Sequence, residues 1–476
     1  MSALPIQYAQ TEALAGRTAR DLYHALYASE PADAVCEASR VYLQGCLEQG
    51  GSLPCDLPAD STGLEEWMAM RHEDVGRQYL DYLAQRKAGA PRRYFANRSH
   101  VLYFLQGVSP TKFVDGAWLH GLLPQWWDDR YRALIRIYLE ELGEGRAADN
   151  HVAMYRRLLA VNGCEHIMPL SDGHYVQGAI QLSLARNAAH FMPEVVGFNL
   201  GYEQLPLHLL ITTHELKELG VDSYYFQVHA TVDNAATGHA RKALESVRGL
   251  CPTGMDERRY YERVKRGYLL NDLGESTVSV IESFDLDEEM TRVLAEKGVH
   301  GRHMHSDYCK VGGRTVNEWL SSAQAIPLFL HELERYGWIR RNTDPAQSRF
   351  WRLLDEGADM FGVFSAYERQ VIYDWIAGTW QPGRENRRTA AEAVCGDRNL
   401  SRRLVGLGAG SCDASLSTQL EGDFGMEMRD FESEVMQAHS KRELMPRLAA
   451  MMDPSLHHTP VGLAATRMFG RLLDTA

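Results

Sequence analysis

The sequence predicts an all-α protein, and three observations support this class. Apolar residues recur at positions i, i+3, i+4 and i+7 in five long segments, which is the spacing of a helix with one buried face. Strand-like alternation is scarce, and its best example is the short stretch 276–284. The composition, 45% hydrophobic and 24% charged over 476 residues, is that of an ordinary globular protein. This length accommodates two or three domains, or one large helical body with extensions.

Five segments carry the helical pattern, and the flanks of the last contain the usual helix boundaries. In chain order the segments are residues 33–50, 74–89, 131–142, 151–163 and 175–191. Ser171, Asp172 and Gly173 precede the last of them, and Met192 and Pro193 follow it. Because proline interrupts the backbone hydrogen bonding of a helix, we expect this segment to end before Pro193.

Changes in composition divide the chain into four regions. An N-terminal helical extension (1–75) precedes an unbroken succession of helices (76–265). A helical region rich in aromatic residues (266–380) follows, and a charged tail (381–476), which we expect to be peripheral, completes the chain. Five aromatic residues are predicted to dock on the central helices or on a second subunit: Trp351, Phe361, Phe364, Tyr367 and Trp375.

The charge balance and the missing motifs disfavour several functions. Lys and Arg number 50 against 63 Asp and Glu, a net charge of −13, which disfavours nucleic acid or an anionic membrane as a partner. No apolar run approaches the ~18 residues of a membrane span, and we see no signal-peptide core. The eight cysteines form no C-x-x-C pair, so we expect a reducing compartment, the cytoplasm. Phosphate-binding glycine motifs and the G-x-S-x-G elbow of hydrolases are also absent from the sequence.

Polar residues within the helical segments suggest a metal site. Glu141 and His151 are ten residues apart, whereas Glu144 precedes His151 by two helical turns and suits a shared face better by spacing alone. Glu140 is a third choice, and the glycine at Gly143 leaves the local geometry open. A carboxylate and an imidazole together suit iron, manganese or zinc.

Further candidates follow along the chain. Glu203 comes after an apolar stretch, and His229 and Asp233 are four residues apart, so one helix face presents both. His239 lies six residues further, across Asn and Gly residues that could bulge the helix and return it to that face. Taken singly, these residues are explained as well by surface carboxylates or an ion pair. Together they match a carboxylate-bridged dinuclear site in a helical bundle, although the Glu-x-x-His motifs of ferritin-like proteins are absent.

The order Glu…His, Glu, His-x-x-x-Asp…His resembles that of the heme-oxygenase-like dimetal oxidases, non-heme iron enzymes built on the heme oxygenase scaffold. The matching segments are EELGEGRAADNH, GYEQ and HATVDNAATGHA, within residues 90–265. The resemblance implies a heme-oxygenase-like helical bundle in region 76–265, with helical regions added at both ends. It also implies two Fe(II) ions as cofactors, O2 as co-substrate and six iron ligands: Glu141, His151, Glu203, His229, Asp233 and His239.

Two positions depart from the family pattern. Many members place the last His three residues after the Asp, where this chain has Ala236. Some members use an additional carboxylate from an earlier helix, and the candidate here is Asp115. A turn residue or a helix N-cap is the favoured interpretation of Asp115.

By the same resemblance, the chain is expected to oxidise an amino acid or an amino-acid-derived small molecule with O2. The reaction would be an N-oxygenation, a desaturation or a C–C cleavage in a secondary-metabolite pathway. Tyr224, Tyr225 and Phe226 are placed to wall the pocket, although core packing is the commoner role of such residues. Two alternatives remain: a heme-binding or heme-degrading helical protein, which needs one proximal histidine, and a non-catalytic helical scaffold.

Overall fold

Helices make up most of the described chain. The computed structural model describes residues 18–28, 31–232, 238–381 and 414–475. Within these ranges the only strands are Lys310–Val311 and Arg314–Thr315, which form a two-residue antiparallel pair. The predicted all-α class is therefore confirmed. In the same ranges no helix is long and apolar enough to cross a membrane.

The first half of the chain contains the helices that position the candidate site. In chain order they are α1 (Ala19–Leu26), α2 (Asp33–Gly50), α3 (Leu64–Lys87), α4 (Arg98–Gly107), α5 (Ser109–Lys112), α6 (Arg132–Glu141), α7 (His151–Val161), α8 (Val176–Tyr202), α9 (Leu207–Glu218), α10 (Tyr224–Val232), α11 (His239–Gly249) and α12 (Glu257–Leu269). Short 3-10 helices connect several of them: Ser61–Gly63, Ala117–Gln125, Asp129–Tyr131, Gly143–Gly145, Asp172–Tyr175 and Leu270–Asp272.

The second half adds shorter helices and a C-terminal group. In chain order they are α13 (Thr277–Glu282), α14 (Leu286–Gly301), α15 (Val316–Trp319), α16 (Ile326–Arg335), α17 (Arg349–Arg352), α18 (Ala366–Ala377), α19 (Ala414–Gln437), α20 (Lys441–Met451) and α21 (Pro460–Asp474). Two 3-10 turns, Ala323–Ala325 and Pro345–Gln347, lie among them.

Helix α8 is the centre of the packing and is kinked rather than ended by its proline. It contacts α12, α1, α2 and the 3-10 segment Ala117–Gln125. The expected end before Pro193 is wrong, because the helix continues to Tyr202 with non-helical torsions only at Asn187 and Phe191. A proline inside a helix removes one backbone hydrogen bond and bends the axis. Buried residues lie on both sides of the kink, so packing maintains the helix beyond it.

The stretch 276–284, the best strand candidate in the sequence, is helical instead. Its residues form α13, and the Ser276 side chain accepts a hydrogen bond from the backbone N–H of Ser279, which is a helix N-cap. Val280 and Ile281 are buried in this helix. The alternation of apolar residues was too short to distinguish a strand from one buried helical turn.

Two large hydrophobic clusters form most of the core. Each combines residues from more than one of the four regions expected from composition. One cluster joins Trp118 and Phe198 of the central helices to Met445, Met452 and Phe469 of the C-terminal segment, all fully buried. Residues 441–474 therefore belong to the core, not to a peripheral tail.

The second cluster joins α4 and α7 to the aromatic region. Four of the five aromatic residues that the sequence predicts to dock there are buried in it: Trp351, Phe364, Tyr367 and Trp375. Phe361, by contrast, is about half exposed (49%). The aromatic segment thus packs on the central helices, which were one of its two predicted docking surfaces; the other was a second subunit.

Candidate metal centre

Four buried side chains from separate elements converge on one another. Asp115, Glu141, His151 and His229 each offer one nitrogen or oxygen atom, and these atoms all lie within 4.8 Å of one another. Each of the four residues is at most 6% exposed. Carboxylate and imidazole ligands at this spacing are suitable for a first-row transition metal.

A second group of ligands adjoins the first and shares one residue with it. Glu141, Glu203 and His239 also place one ligand atom each within 4.8 Å of the others, and all three are buried. Glu141 thus belongs to both groups. A carboxylate shared by two adjacent ligand sets is the arrangement of a bridged dinuclear site.

A tight turn brings Glu141 and His151 together. Glu141 is the last residue of α6 and His151 the first of α7, and Gly143 and Gly145 between them have positive φ angles of 62° and 79°. A side chain on Gly143 would overlap the backbone of Asp149 and Asn150, so the reversal requires glycine there. The chain therefore folds back after Glu141, and spacing along a straight helix does not describe the pair.

The same turn separates the three glutamates that spacing left open. Glu144 has a φ of 49° and points to the surface, where its carboxylate lies 3.4 Å from Arg146. Glu140 lies at the edge of the cluster, where one oxygen is 2.8 Å from Nε2 of His239. Of the three residues, only Glu141 is in the buried ligand groups of the described chain.

The His229 ring is oriented by the backbone of its own helix. Its Nδ1–H donates a hydrogen bond of 2.9 Å to the Tyr225 carbonyl, and Nε2 lies 3.1 Å from Oδ2 of Asp115. A carbonyl can only accept, so Nδ1 carries the proton of this bond, and Nε2 is the ring nitrogen that faces Asp115. Metal-binding histidines are commonly fixed in this way by a bond from the other ring nitrogen.

His239, the first residue of α11, is held between carboxylates on both sides. Its Nδ1 lies 3.1 Å from Glu203 and 3.3 Å from Glu141, and its Nε2 faces Glu140. Lys242, one turn further along α11, donates to both oxygens of Glu140 at 2.5 and 2.7 Å. Burial would raise the pKa of Glu140, but His239 and Lys242 hold it below its usual range. A charged Glu140 is therefore suited to orient the His239 ring.

Asp115 lies in the buried ligand cluster, which corrects its favoured interpretation as only a turn or N-cap residue. It does lie in the turn after α5, but its side chain is 1% exposed and accepts hydrogen bonds from the hydroxyls of Tyr202 (2.7 Å) and Tyr225 (2.6 Å). Burial would raise the pKa of Asp115, but Lys112 and His229 hold it well below its usual range. Gly116, with a φ of 80°, lets the turn approach Glu141 closely.

The prediction for Asp233 falls outside the described residues, as does Ala236. The two helices that flank this gap, α10 and α11, contribute His229 and His239. His239 reaches the cluster as the first residue of α11. The predicted bulge that returns it to the helix face of His229 lies in the residues that the structure does not describe.

Glu141 and His151 make a close buried contact. Oε2 of Glu141 and Nδ1 of His151 are 2.5 Å apart, yet neither atom makes a hydrogen bond of acceptable geometry within the described chain. Burial opposes a charge on either group, while their mutual attraction lowers the pKa of Glu141 and raises that of His151. Buried carboxylates need compensating positive charge, which divalent cations would supply here.

A cavity of about 310 Å³ reaches this cluster from one side. Tyr202, Tyr225, Phe226 and His229 form part of its wall. Two of the three residues predicted to wall a pocket are thus found there, whereas Tyr224 is about half exposed (51%) and does not line it. The cavity gives a small molecule access to the residues around His229.

A helical body with a buried cluster of carboxylates and histidines that could hold a metal ion fits a metal-dependent oxidase. The model of the family described as iron-containing redox enzymes matches residues 102–272. This stretch is therefore similar to the heme-oxygenase-like iron enzymes, which confirms the resemblance noted in the sequence. No curated protein and no solved structure matches the chain.

The C-terminal segment, outside the family match, contacts the turn that carries Glu141 and His151. Asn150 caps α7, since its Oδ1 accepts a hydrogen bond from the backbone N–H of Ala153. Its Nδ2 donates to the Leu142 carbonyl (3.3 Å) and to Nδ1 of His457 (3.0 Å). His457 lies between α20 and α21 and is 1% exposed. This imidazole therefore fixes the side chain that ties the ends of the two ligand-bearing helices together. The sequence contained no local signal for this contact, because 307 residues separate the two partners.

Replacing His457 by Leu is expected to weaken metal binding by up to about ten-fold, the lower end of the effect for groups bonded directly to a ligand, because His457 acts one step further out through Asn150. His457→Asn keeps an acceptor close to the position of Nδ1 and should recover part of the affinity. Anaerobic Fe(II) and Co(II) titrations measure the affinity, and thermal unfolding shows whether each variant is folded. Equal affinities in the wild type and a folded Leu variant would contradict the prediction.

Proposed function

We propose that the chain is a non-heme di-iron oxidase that uses O2 to oxidise an amino acid or an amino-acid-derived small molecule. The observation that supports this most is the sharing of Glu141 between two buried ligand groups. The reaction would be an N-oxygenation, a desaturation or a C–C cleavage in a biosynthetic pathway of the cytoplasm. We further predict that the protein forms a homodimer and that neither nucleic acid nor a membrane is its partner.

The two ligand groups support a proposal for which residues would hold each ion. Asp115, His151 and His229 would hold one iron, Glu203 and His239 the other, and Glu141 would bridge them; Asp233 remains a predicted additional ligand. When bound there, two Fe(II) ions would supply the electrons and the Lewis acidity that O2 activation requires. The protein contributes the ligands, their orientation and a site from which bulk water is excluded.

Tyr202 and Tyr225 orient the Asp115 carboxylate. Each donates its hydroxyl proton to one oxygen of Asp115, and burial raises the pKa of both phenols well above the usual value. Both therefore remain donors at neutral pH. With its two oxygens held by different residues, Asp115 has a defined direction toward His229, which is a condition for a preorganised site.

The surroundings of the histidines favour this function over heme binding. A heme protein of this fold needs one histidine available to the heme iron. Here His151 faces Glu141 at 2.5 Å, His229 faces Asp115 at 3.1 Å, and His239 lies between Glu203 and Glu140. Each imidazole of the cluster therefore lies in a carboxylate-rich environment that suits a bare metal ion, and a heme would need a histidine outside the cluster.

Anaerobic loading with Fe(II) tests the proposal. We expect about two iron ions per chain by elemental analysis, and O2 consumption with oxidised product, detected by mass spectrometry, in a panel of free amino acids. A Soret band with one heme per chain would favour the heme alternative instead. Failure to bind any metal stoichiometrically would leave the non-catalytic scaffold as the explanation.

A further inference from the structure

A second cavity, of about 360 Å³, lies between α6, the 3-10 turn Gly143–Gly145 and α21. It has no lining residue in common with the cavity beside His229. Four of its nine lining residues are arginines, and we call it the arginine groove: Arg136, Arg146, Arg467 and Arg471. The chain as a whole has a net charge of −13, so this local concentration of positive side chains requires an explanation.

The two carboxylates that line the groove already have arginine partners. Asp474 lies 3.0 Å from Arg132 and also pairs with Arg136. Glu144 lies 3.4 Å from Arg146. Neither acidic residue is therefore left to neutralise the other two arginines of the lining.

Arg467 and Arg471 are exposed and have no carboxylate partner within the described chain. Arg467 donates through Nη1 to the Gly145 carbonyl at 2.5 Å, and this acceptor has no net charge. Arg471 makes no hydrogen bond or ion pair with a described residue. The two arginines are four residues apart on α21, so they share one helix face, where like charges destabilise each other. An anion bound between them would remove this repulsion.

The guanidinium groups indicate the class of ligand. Their planar N–H donors match two oxygens of a carboxylate or a phosphate, and the resulting hydrogen bonds are assisted by charge. The volume of about 360 Å³ is in the range of small-molecule sites. A nucleic-acid strand is disfavoured, because the negative net charge of the chain repels an extended polyanion.

We propose that the arginine groove binds a small oxyanion, either a phosphate-bearing molecule or a dicarboxylate, between Arg467 and Arg471. The anion would lie on the turn that joins α6 to α7, since Arg467 donates to Gly145 in that turn. No residue of the groove belongs to the candidate metal centre, so the proposal is independent of the di-iron function. The site depends on α21, which lies outside the family match.

Isothermal titration calorimetry on the full-length chain tests the proposal, in a dilute buffer that contains neither phosphate nor carboxylate. Low ionic strength is needed because salt screens charges at an exposed site. The probes are inorganic phosphate, glycerol 2-phosphate and malonate, and malonamide is the uncharged control. We expect saturable binding of one anion per chain for at least one of the three anions, and none for malonamide. Binding of the phosphates or of malonate distinguishes the two sources of the oxyanion.

Arg471→Gln should weaken binding about ten-fold or more, because charge-assisted hydrogen bonds are lost. Since Arg471 is exposed and has no partner in the described chain, thermal unfolding should be unchanged. Arg471→Lys should retain part of the affinity, because it keeps the charge but not the planar donors. Arg258→Gln on α12 is the matched control, since Arg258 is exposed and does not line the groove. Glu144→Gln removes a negative charge from the lining and should strengthen binding.

Four results would overturn the proposal. None of the three anions binds, a folded Arg471→Gln variant binds like the wild type, Arg258→Gln weakens binding as much as Arg471→Gln, or Glu144→Gln weakens it. Iron titration of the same variants is a separate test, because Arg471 and Glu144 are outside the ligand groups. Loss of anion binding with unchanged iron content is therefore the expected result for Arg471→Gln.

Discussion

Replacing Glu141 by Gln is expected to remove metal from both positions of the candidate centre. Oε2 of Glu141 lies 2.5 Å from His151 of one ligand group, and Oε1 lies 3.3 Å from His239 of the other. Glutamine keeps the size of the side chain but has no charge and only one oxygen, so it cannot bridge two cations. We therefore expect the iron content to fall from about two ions per chain to less than one.

Two further variants, Glu203→Gln and Glu144→Gln, show whether the loss of both metal ions is specific to Glu141. Glu203 belongs to one ligand group only, so its variant should lose the metal at that position and retain the other. Glu144 is three residues from Glu141 but half exposed and paired with Arg146, so its variant should bind metal like the wild type. Anaerobic Fe(II) titration followed by elemental analysis measures the stoichiometry. Two irons in a folded Glu141→Gln variant would show that Glu141 does not bridge the site.

The choice between Glu141 and Glu144 shows where reasoning from the sequence was limited. Helical spacing favoured Glu144, because counting turns assumes that one straight helix continues from Glu141 to His151. The positive φ angles of Gly143, Glu144 and Gly145 reverse the chain there, and only that reversal places Glu141 next to His151. The glycines indicated a break, but their identity alone did not give its direction. The resemblance to a family was therefore needed to select Glu141.

Contacts between distant parts of the chain were the other features that the sequence could not provide. The helical class followed from local periodicity, which is the same wherever a helix packs. Asp115 reaches its partners across 87 residues to Tyr202 and 114 residues to His229, and its immediate neighbours resemble an ordinary turn. Likewise, the charged composition of region 381–476 suggested a peripheral tail, although Phe469 is fully buried. Composition describes the average of a segment, whereas packing is decided by a few residues.

The crossing of α8 and α12 is expected to be the most sensitive point of the fold to a single added methyl group. A side chain on Gly197 would overlap the backbone carbonyl of Val264, and one on Gly267 would overlap the backbone of Glu194. Because neither glycine has a side chain, the backbones of the two helices come into direct contact at both positions. Because the obstructing atoms belong to backbone inside helices, they cannot move aside as a flexible side chain would.

Gly197→Ala should therefore lower the free energy of unfolding by about 3 kcal/mol, the upper end of the cost of overpacking a core. Overpacking lowers the stability, whereas the higher helix propensity of Ala raises it. Overpacking is the larger effect, since Ala is favoured over Gly within a helix by only about 1 kcal/mol. Gly76→Ala isolates the second effect, because Gly76 lies inside α3 with no atom within 4 Å of the added carbon. Its midpoint of thermal unfolding should rise slightly, while that of Gly197→Ala should fall by several degrees. An equal or higher midpoint in Gly197→Ala would mean that α8 and α12 are farther apart than described.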